Sequence, residues 1–424
     1  MSMSLRKCFP VFLSFTLLLS ITGAQDYDVS VTTVTVWIKA LDKSGKPVTG
    51  LTQSDFEIYD EGKAVSPTCF EESVPAAPQS EPESTQSAPA ESGTTAPSVS
   101  RKTIVFLFDL GNTSQTEFLH LRRKATEFVD QLSGTWNMTL VSLVGPIFEI
   151  HAEGTSDAQV ILSELETMNA NYMRDLNAIK NRRDLAEILH LAATGRQDRQ
   201  LIERLISEVC GVAREYALQE KRESFQWMDS LKQLDKYLKK QTPENHHAVL
   251  LFSGGISTNP GRHYFDTIKD SDIVREFIED EWDFVREFPE CAYEGGTDLQ
   301  KEFKKLVGKL NRNNVTVYTV NSRGPINDLL ETVRESDRKF KSSDLEFLDE
   351  YQDFMISMAD DTGGLSFENS LNFKKGFDAI LSDLNYQYVL CYTPPKPEKE
   401  GEHSIKVKVK KPGIKLRHRN GYWV

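Results

Sequence analysis

Few side chains in this chain are placed to do chemistry. Thr103 to Leu110 (TIVFLFDL) is an apolar run carrying Asp109 near its end, and Gly111-Asn112-Thr113-Ser114 follows it. A carboxylate at a strand end accepts hydrogen bonds from the loop after it, with Thr113 and Ser114 among the donors. Ser253-Gly254-Gly255 closes a second apolar run, Ala248 to Ser253, but the sequence names no base for a Ser253 nucleophile. His246-His247 precede that run and read as a helix–strand turn. Asp270-Ser271-Asp272 offers two carboxylates to a cation, although short acidic pairs in loops are commonly just solvated. There is no His-Glu-x-x-His zinc motif, no Gly-x-Ser-x-Gly elbow and no Walker loop. That census predicts a protein that is not an enzyme.

The 424 residues carry 50 Lys+Arg against 63 Asp+Glu, a formal net charge of −13. Phosphate backbones are bound through Lys and Arg, so this balance argues against nucleic acid as a partner. A hydrophobic fraction of 39% and an aromatic fraction of 10% exclude wholesale disorder. Arg6 and Lys7 precede an apolar stretch, Cys8 to Ile21, which is shorter than the roughly 20 residues that span a bilayer. Thr22-Gly23-Ala24 then supplies small side chains. The pattern predicts a signal peptide over 1–24, cleaved after Ala24, and a chain exported to the periplasm or beyond the cell. No later segment reads as transmembrane. Four cysteines then remain: Cys69, Cys210, Cys291 and Cys391. They permit two disulfides with three pairings open, or four buried thiols.

These residues must be positioned by regular elements. In 25–72, Val34, Val36 and Ile38 alternate with Thr35 and Trp37, the period of a strand buried on one face. Residues 73–100 hold five Pro, seven Ser and five Ala and no aromatic, a composition that predicts a disordered linker. From 101 to 386 buried strands alternate with helices, which predicts a largely parallel sheet covered on both faces. Its strands are Thr103–Leu110, Met138–Val144, Pro146–Ile150, Ala248–Ser253 and Val315–Val320. Two insertions interrupt it. Residues 173–241 are helical, with apolar seams at Ile202, Leu205, Val209, Val212 and Tyr216 and again at Phe225, Met228, Leu231, Leu234 and Leu238. They dock as long helices or protrude as a partner-binding coiled coil. The acidic insertion 259–299 surrounds Tyr264, Phe265, Trp282 and Phe284, aromatics that form a hot spot if exposed or else pack the insertion's own small core. In 387–424, Ile405, Val407 and Val409 alternate with Lys406, Lys408 and Lys410, and Pro412-Gly413 predicts a hairpin turn.

FLFDLGNTS (Phe106 to Ser114) resembles the first strand of a von Willebrand factor A domain, in the version of the bacterial secreted "VWFA-related" family, where Asp-x-x-Asn-Thr replaces Asp-x-Ser-x-Ser. VTVWIKALDKSGKPVTGLTQSDFEIYDEGK, HAVLLFSGGIS, NVTVYTVNSRG, TGGLSFENSLNFKKGFDAI running into YQYVLCYTP, and the terminal GEHSIKVKVKKPGIKLRHRNGYW resemble that family in the same order. The resemblance covers nearly all of the exported chain.

It implies an α/β fold: a Rossmann-like, von Willebrand factor A-type, mostly parallel sheet with helices on both faces. A small β-sandwich of N- and C-terminal strands would accompany it. It also implies a metal-ion-dependent adhesion site at the strands' carboxyl ends. Mg²⁺ or another divalent cation wants carboxylate and hydroxyl oxygens. Asp109 matches the first aspartate and Thr113 the second hydroxyl, with Thr194 a guess for the threonine ligand. Gly111 stands where a serine would be and Ser253-Gly254-Gly255 lacks the further aspartate, so the site is degenerate and any metal weakly held. Asn112, Ser114 and Ser253 would then face a partner. With the terminal strands packed together, the expected pairings are Cys69–Cys391 and Cys210–Cys291. The expected function is a non-catalytic protein-binding or adhesion module. The alternative is an envelope scaffold that self-associates through its helical segment.

Overall fold

The computed structural model describes residues 33–73, 102–132, 136–170, 174–194, 198–241, 246–276, 281–293, 295, 297–321, 350–367, 373–396 and 400–424. The leader at 1–24 and nearly all of the linker at 73–100 lie outside them.

Four N-terminal strands come first: β1 (Val34–Leu41), β2 (Phe56–Asp60), β3 (Lys63–Val65) and β4 (Cys69–Ser73). An α/β unit follows. It runs β5 (Thr103–Asp109), α1 (Gln115–Leu132), β6 (Asn137–Val144), β7 (Ile147–Thr155), α2 (Ala158–Thr167), α3 (Arg174–Thr194), α4 (Arg199–Lys240) and β8 (His247–Ser253). It continues with α5 (Arg262–Lys269), α6 (Asp272–Arg275), α7 (Glu281–Glu287), α8 (Thr297–Arg312) and β9 (Val315–Asn321). Then come α9 (Glu350–Thr362), β10 (Ser366–Phe367) and α10 (Phe373–Asn385). The chain ends in β11 (Gln387–Tyr392), β12 (Glu402–Val409), β13 (Lys415–Arg417) and β14 (Gly421–Trp423).

The α/β unit holds a six-stranded sheet in the order β10-β9-β8-β5-β6-β7, parallel throughout except for β7 at one edge. Every residue of β8 and β9 is buried, which is why those strands read as continuous apolar runs rather than alternating ones. One face packs Phe106, Phe108 and Leu140 under α1, α2 and α10. The other packs Val105, Leu107, Val141 and Leu143 under α8, α9 and the second half of α4. The first half of α4 joins α3, α5, α6 and α7 in a separate apolar cluster. The helices of 173–241 therefore dock.

The terminal strands form two antiparallel four-stranded sheets, β13-β1-β11-β4 and β14-β12-β2-β3. Their inward residues share one core that includes Val36, Ile38, Ile58, Leu390, Tyr392, Ile405 and Val407. Cys69 and Cys391 are bonded across the β4–β11 pair, and Cys210 on α4 is bonded to Cys291. One expectation needs correction. Pro412-Gly413 does not turn a paired hairpin, because β13 leaves β12 and pairs with β1, while β12 pairs with β2 and β14. Ile414 and Leu416 pack on the core that β12 already covers. They reach it only from the opposite sheet.

Candidate functional site

In an open α/β sheet, ligands bind outside the carboxyl ends of the strands, where the order reverses. Here that region lies beyond β5 and β8, and the sequence places Asp109 and Ser253 there. Asp109 is buried. Its Oδ2 accepts from Trp227 Nε1 at 2.7 Å, Asn112 Nδ2 at 2.8 Å and Ser253 Oγ at 2.5 Å, and its Oδ1 accepts from the Asn112 backbone N–H at 3.2 Å. Ser253 Oγ also accepts from Gly255 N, and the Asn112 carbonyl accepts from Gly254 N at 3.0 Å. The two loops that end β5 and β8 are thus stitched around one carboxylate.

The structure brings Asp109, Asn112 and Ser253 together. All three are buried, as is Thr113. Ser114 has another task. Its N–H donates to Glu117 Oε2 at 2.7 Å and its Oγ accepts from Glu117 N at 3.3 Å, a capping box that starts α1. The side chain of Thr194 lies outside those described.

The described residues make a poor fit to a divalent cation. Among them one carboxylate is present at the cluster, and three side-chain donors already crowd its Oδ2. Packing bears on Gly111, which stands in the place of one expected ligand, and on Gly255, next to the Gly254 that stands in the place of the other. A Cβ on Gly111 would stand 3.1 Å from Gly145 N. Gly255 has φ +76°, and a Cβ there would lie 2.1 Å from the Tyr351 carbonyl, so only glycine lets α9 close over the loop.

Sequence reading missed two residues that complete the site, both on α4. Trp227 supplies the indole donor. Seven residues earlier, on the same helical stripe, buried Glu220 accepts from the Tyr351 hydroxyl and bonds His263 Nε2 at 3.0 Å. Glu220 thereby joins α4 to α9 and α5. Nearby, burial pushes the Glu350 carboxyl above its ordinary range, partly opposed by His263. The signal was present in the sequence: extending the Leu231–Leu234–Leu238 stripe backwards by helical steps reaches Trp227, Ser224 and Glu220, and a Ser and a Glu on a buried stripe call for partners.

Of the two readings left open for the aromatics of 259–299, packing holds for three of them. Tyr264, Phe265 and Phe284 are buried against α3 and α4, where the Cys210–Cys291 bond also ties this segment. The side chain of Trp282 lies outside those described.

Neither a scan of protein-family models nor a search of curated proteins finds a match to this chain.

Proposed function

We propose that the chain is an exported, non-catalytic protein-binding module. It is built on a von Willebrand factor A-like domain whose adhesion site works without a metal. The observation that carries this reading is the Asp109 cluster. The carboxylate in the place of the first metal ligand is held by Trp227, Asn112 and Ser253, side chains from three separate segments. A carboxylate so engaged serves as a fixed joint between the loops. Recognition then falls to the surfaces that these loops and α4 support. The mostly parallel sheet with helices on both faces is compatible with this family, and the resemblance of six stretches in order favours it over an unrelated doubly wound fold.

Isothermal titration of the purified chain with Mg²⁺, Mn²⁺ and Ca²⁺, repeated on Asp109→Ala, tests the reading. The expected result is no saturable heat in either protein. Saturable binding that vanishes in Asp109→Ala would restore a metal-dependent adhesion site. A protein partner recovered on the immobilised chain should be retained equally in chelator and in Mg²⁺.

One observation favours the alternative of self-association through the helices. Ile188, Leu191 and Leu201 are exposed and line a groove of about 280 Å³ between α3 and α4. Light scattering during gel filtration decides it: a dimer that Leu191→Glu dissociates supports the scaffold reading, and a monomer at all concentrations removes it.

A further inference from the structure

We propose that the free edge of β7, with the lysine-lined groove beside it, is a docking surface for an acidic protein segment that adds as an extended strand. This surface belongs to the rim of the sheet and does not depend on the reading of Asp109.

β7 ends the six-stranded sheet with β6 as its one neighbour among the described residues. Among the described residues, no other segment's backbone bonds to residues 147–153. Native proteins blunt such edges with charge, proline or a bulge. The irregularity here falls between Met138 and Val141 of β6, so Ile147 to Ile150 remain a regular strand opposite Val144 to Val141. Three residues of that half are apolar, with the exposed Glu149 its one charge, and it is open: Ile147 is 58% exposed and Ile150 37%.

The register fixes the faces. Phe148 and Ile150 sit opposite Leu143 and Val141, which belong to the core beneath α4, so they share that face, and Ile147 and Glu149 take the other. On the α4 face a groove of about 600 Å³ runs beside Phe148, lined by Lys232, Lys236, Tyr237 and Lys240. The groove's acids are occupied. Asp229 bonds Lys232, which also reaches Glu302, and Glu153 accepts from Tyr237 and Gln241. Lys236 and Lys240, one helical turn apart, form no ion pair with any described residue. A basic groove on a chain of net charge −13 reverses the local sign, and complementarity then selects an acidic partner.

A strand added to this edge alternates its side chains between the faces. One set falls over Phe148 toward Lys236 and Lys240 and suits Glu or Asp. The other falls over Ile147 and suits Val or Ile. The ligand class is therefore an extended segment alternating acidic and aliphatic residues, recognised by backbone pairing and charge.

The test measures fluorescence anisotropy of a labelled heptapeptide alternating Glu and Val, titrated with the full chain. Saturable binding is expected, weakening as salt rises. The double variant Lys236→Glu/Lys240→Glu should weaken it by about tenfold or more. Both lysines are exposed, so the variant should fold, and circular dichroism checks that it does. The same peptide N-methylated at alternate backbone nitrogens should not bind, nor should a Lys–Val counterpart. The proposal is overturned by no saturable binding to the unmodified chain, by equal affinity in the double variant, by equal binding of the Lys–Val peptide, or by full binding of the methylated peptide.

Discussion

Trp227 on α4 donates its indole N–H to the Asp109 carboxylate at the end of β5 across 2.7 Å, although 118 residues separate them in the chain. The bond fixes the long helix to the central strand at a buried position, so its loss cannot be made good by water. Its partner Oδ2 also takes the Ser253 hydroxyl, which links β5 to β8. One carboxylate therefore sets the mutual positions of a helix and two strand-end loops.

Trp227→Phe keeps a ring against Phe354, whose centroid lies 5.6 Å away, and removes the donor. A buried hydrogen bond to a charged group contributes about 1.5–3 kcal/mol. Urea denaturation should show a loss of that order, and Ser253→Ala a loss of similar sign. Asp109→Asn should cost more than either alone, because its amide group turns a donor toward other donors. Unchanged midpoints in Trp227→Phe and Ser253→Ala would show that the network carries no stability.

Gly255→Ala should be among the most damaging small substitutions in the chain. Its φ of +76° costs an alanine about 1–2 kcal/mol. In addition, the new Cβ would fall 2.1 Å from the Tyr351 carbonyl. Gly45→Ala is the control, since Gly45 has φ +81° and nothing within 4 Å of its would-be Cβ. The control isolates the backbone cost, and the excess in Gly255→Ala reports the closure of α9 over the loop. Equal losses by thermal melting in the two variants would mean that α9 yields freely.

Strand periodicity made much of this arrangement readable. Continuous apolar runs gave β5, β8 and β9, because strands buried on both faces have no polar side to display. Val34-Val36-Ile38 and Ile405-Val407 gave the one-sided strands for the converse reason. Asp109, Asn112 and Ser253 could be singled out because each ends or follows a strand. Trp227 could not be paired with Asp109, 118 residues away, nor Glu220 with Tyr351, 131 residues away, since contacts so distant along the chain leave no local spacing. The destination of β13 was illegible for a similar reason. Pro412-Gly413 marks a turn in either topology, and only the shared core decides which sheet receives Leu416.

The contact between the terminal sheets and the α/β unit should make stability depend on alkaline pH. Lys39 of β1 is buried and donates to the Gly363 carbonyl at 3.3 Å, just past the end of α9, where Arg417 also donates while pairing with Asp383. Burial lowers the Lys39 ammonium from 10.5 to about 8, with Asp383 opposing and Arg417 reinforcing the shift. Between those values the unfolded chain holds the proton and the folded chain does not, so stability rises with pH there. Below about 8 both states are protonated and the contribution is flat. From pH 7 to 9.5 the gain is about 2 kcal/mol. Tyrosines whose hydroxyls burial pushes upward, Tyr388 and Tyr237 to about 12, act in the opposite direction once unfolded tyrosines ionise near 10, so the comparison stops short of that range. Urea titrations at pH 7 and 9.5 should show the rise in the parent chain and little of it in Lys39→Met. A parent curve that is flat or falling would refute the assignment.

The two disulfides should protect different parts of the molecule. Cys69–Cys391 spans 322 residues and clamps β4 to β11, within the terminal sheets. Cys210–Cys291 spans 81 residues and ties α4 to the turn after α7, at the base of the cluster that buries Tyr264, Phe265 and Phe284. Removing either should cost roughly 2–4 kcal/mol. The location of the damage should differ. Cys210→Ser/Cys291→Ser releases a segment whose own core is small, so amide exchange should accelerate in α5 and α7 and in the first half of α4. The second half of α4 should keep its protection, because Leu231, Leu234 and Leu238 remain packed on the central sheet. Cys69→Ser/Cys391→Ser should accelerate exchange in β4, the edge strand of its sheet, and spare α5 and α7. Peptide mapping without reductant checks the pairing first. Exchange that accelerates along the whole of α4 in the Cys210 variant would mean that the helix is held as one unit by the disulfide rather than by its two separate cores.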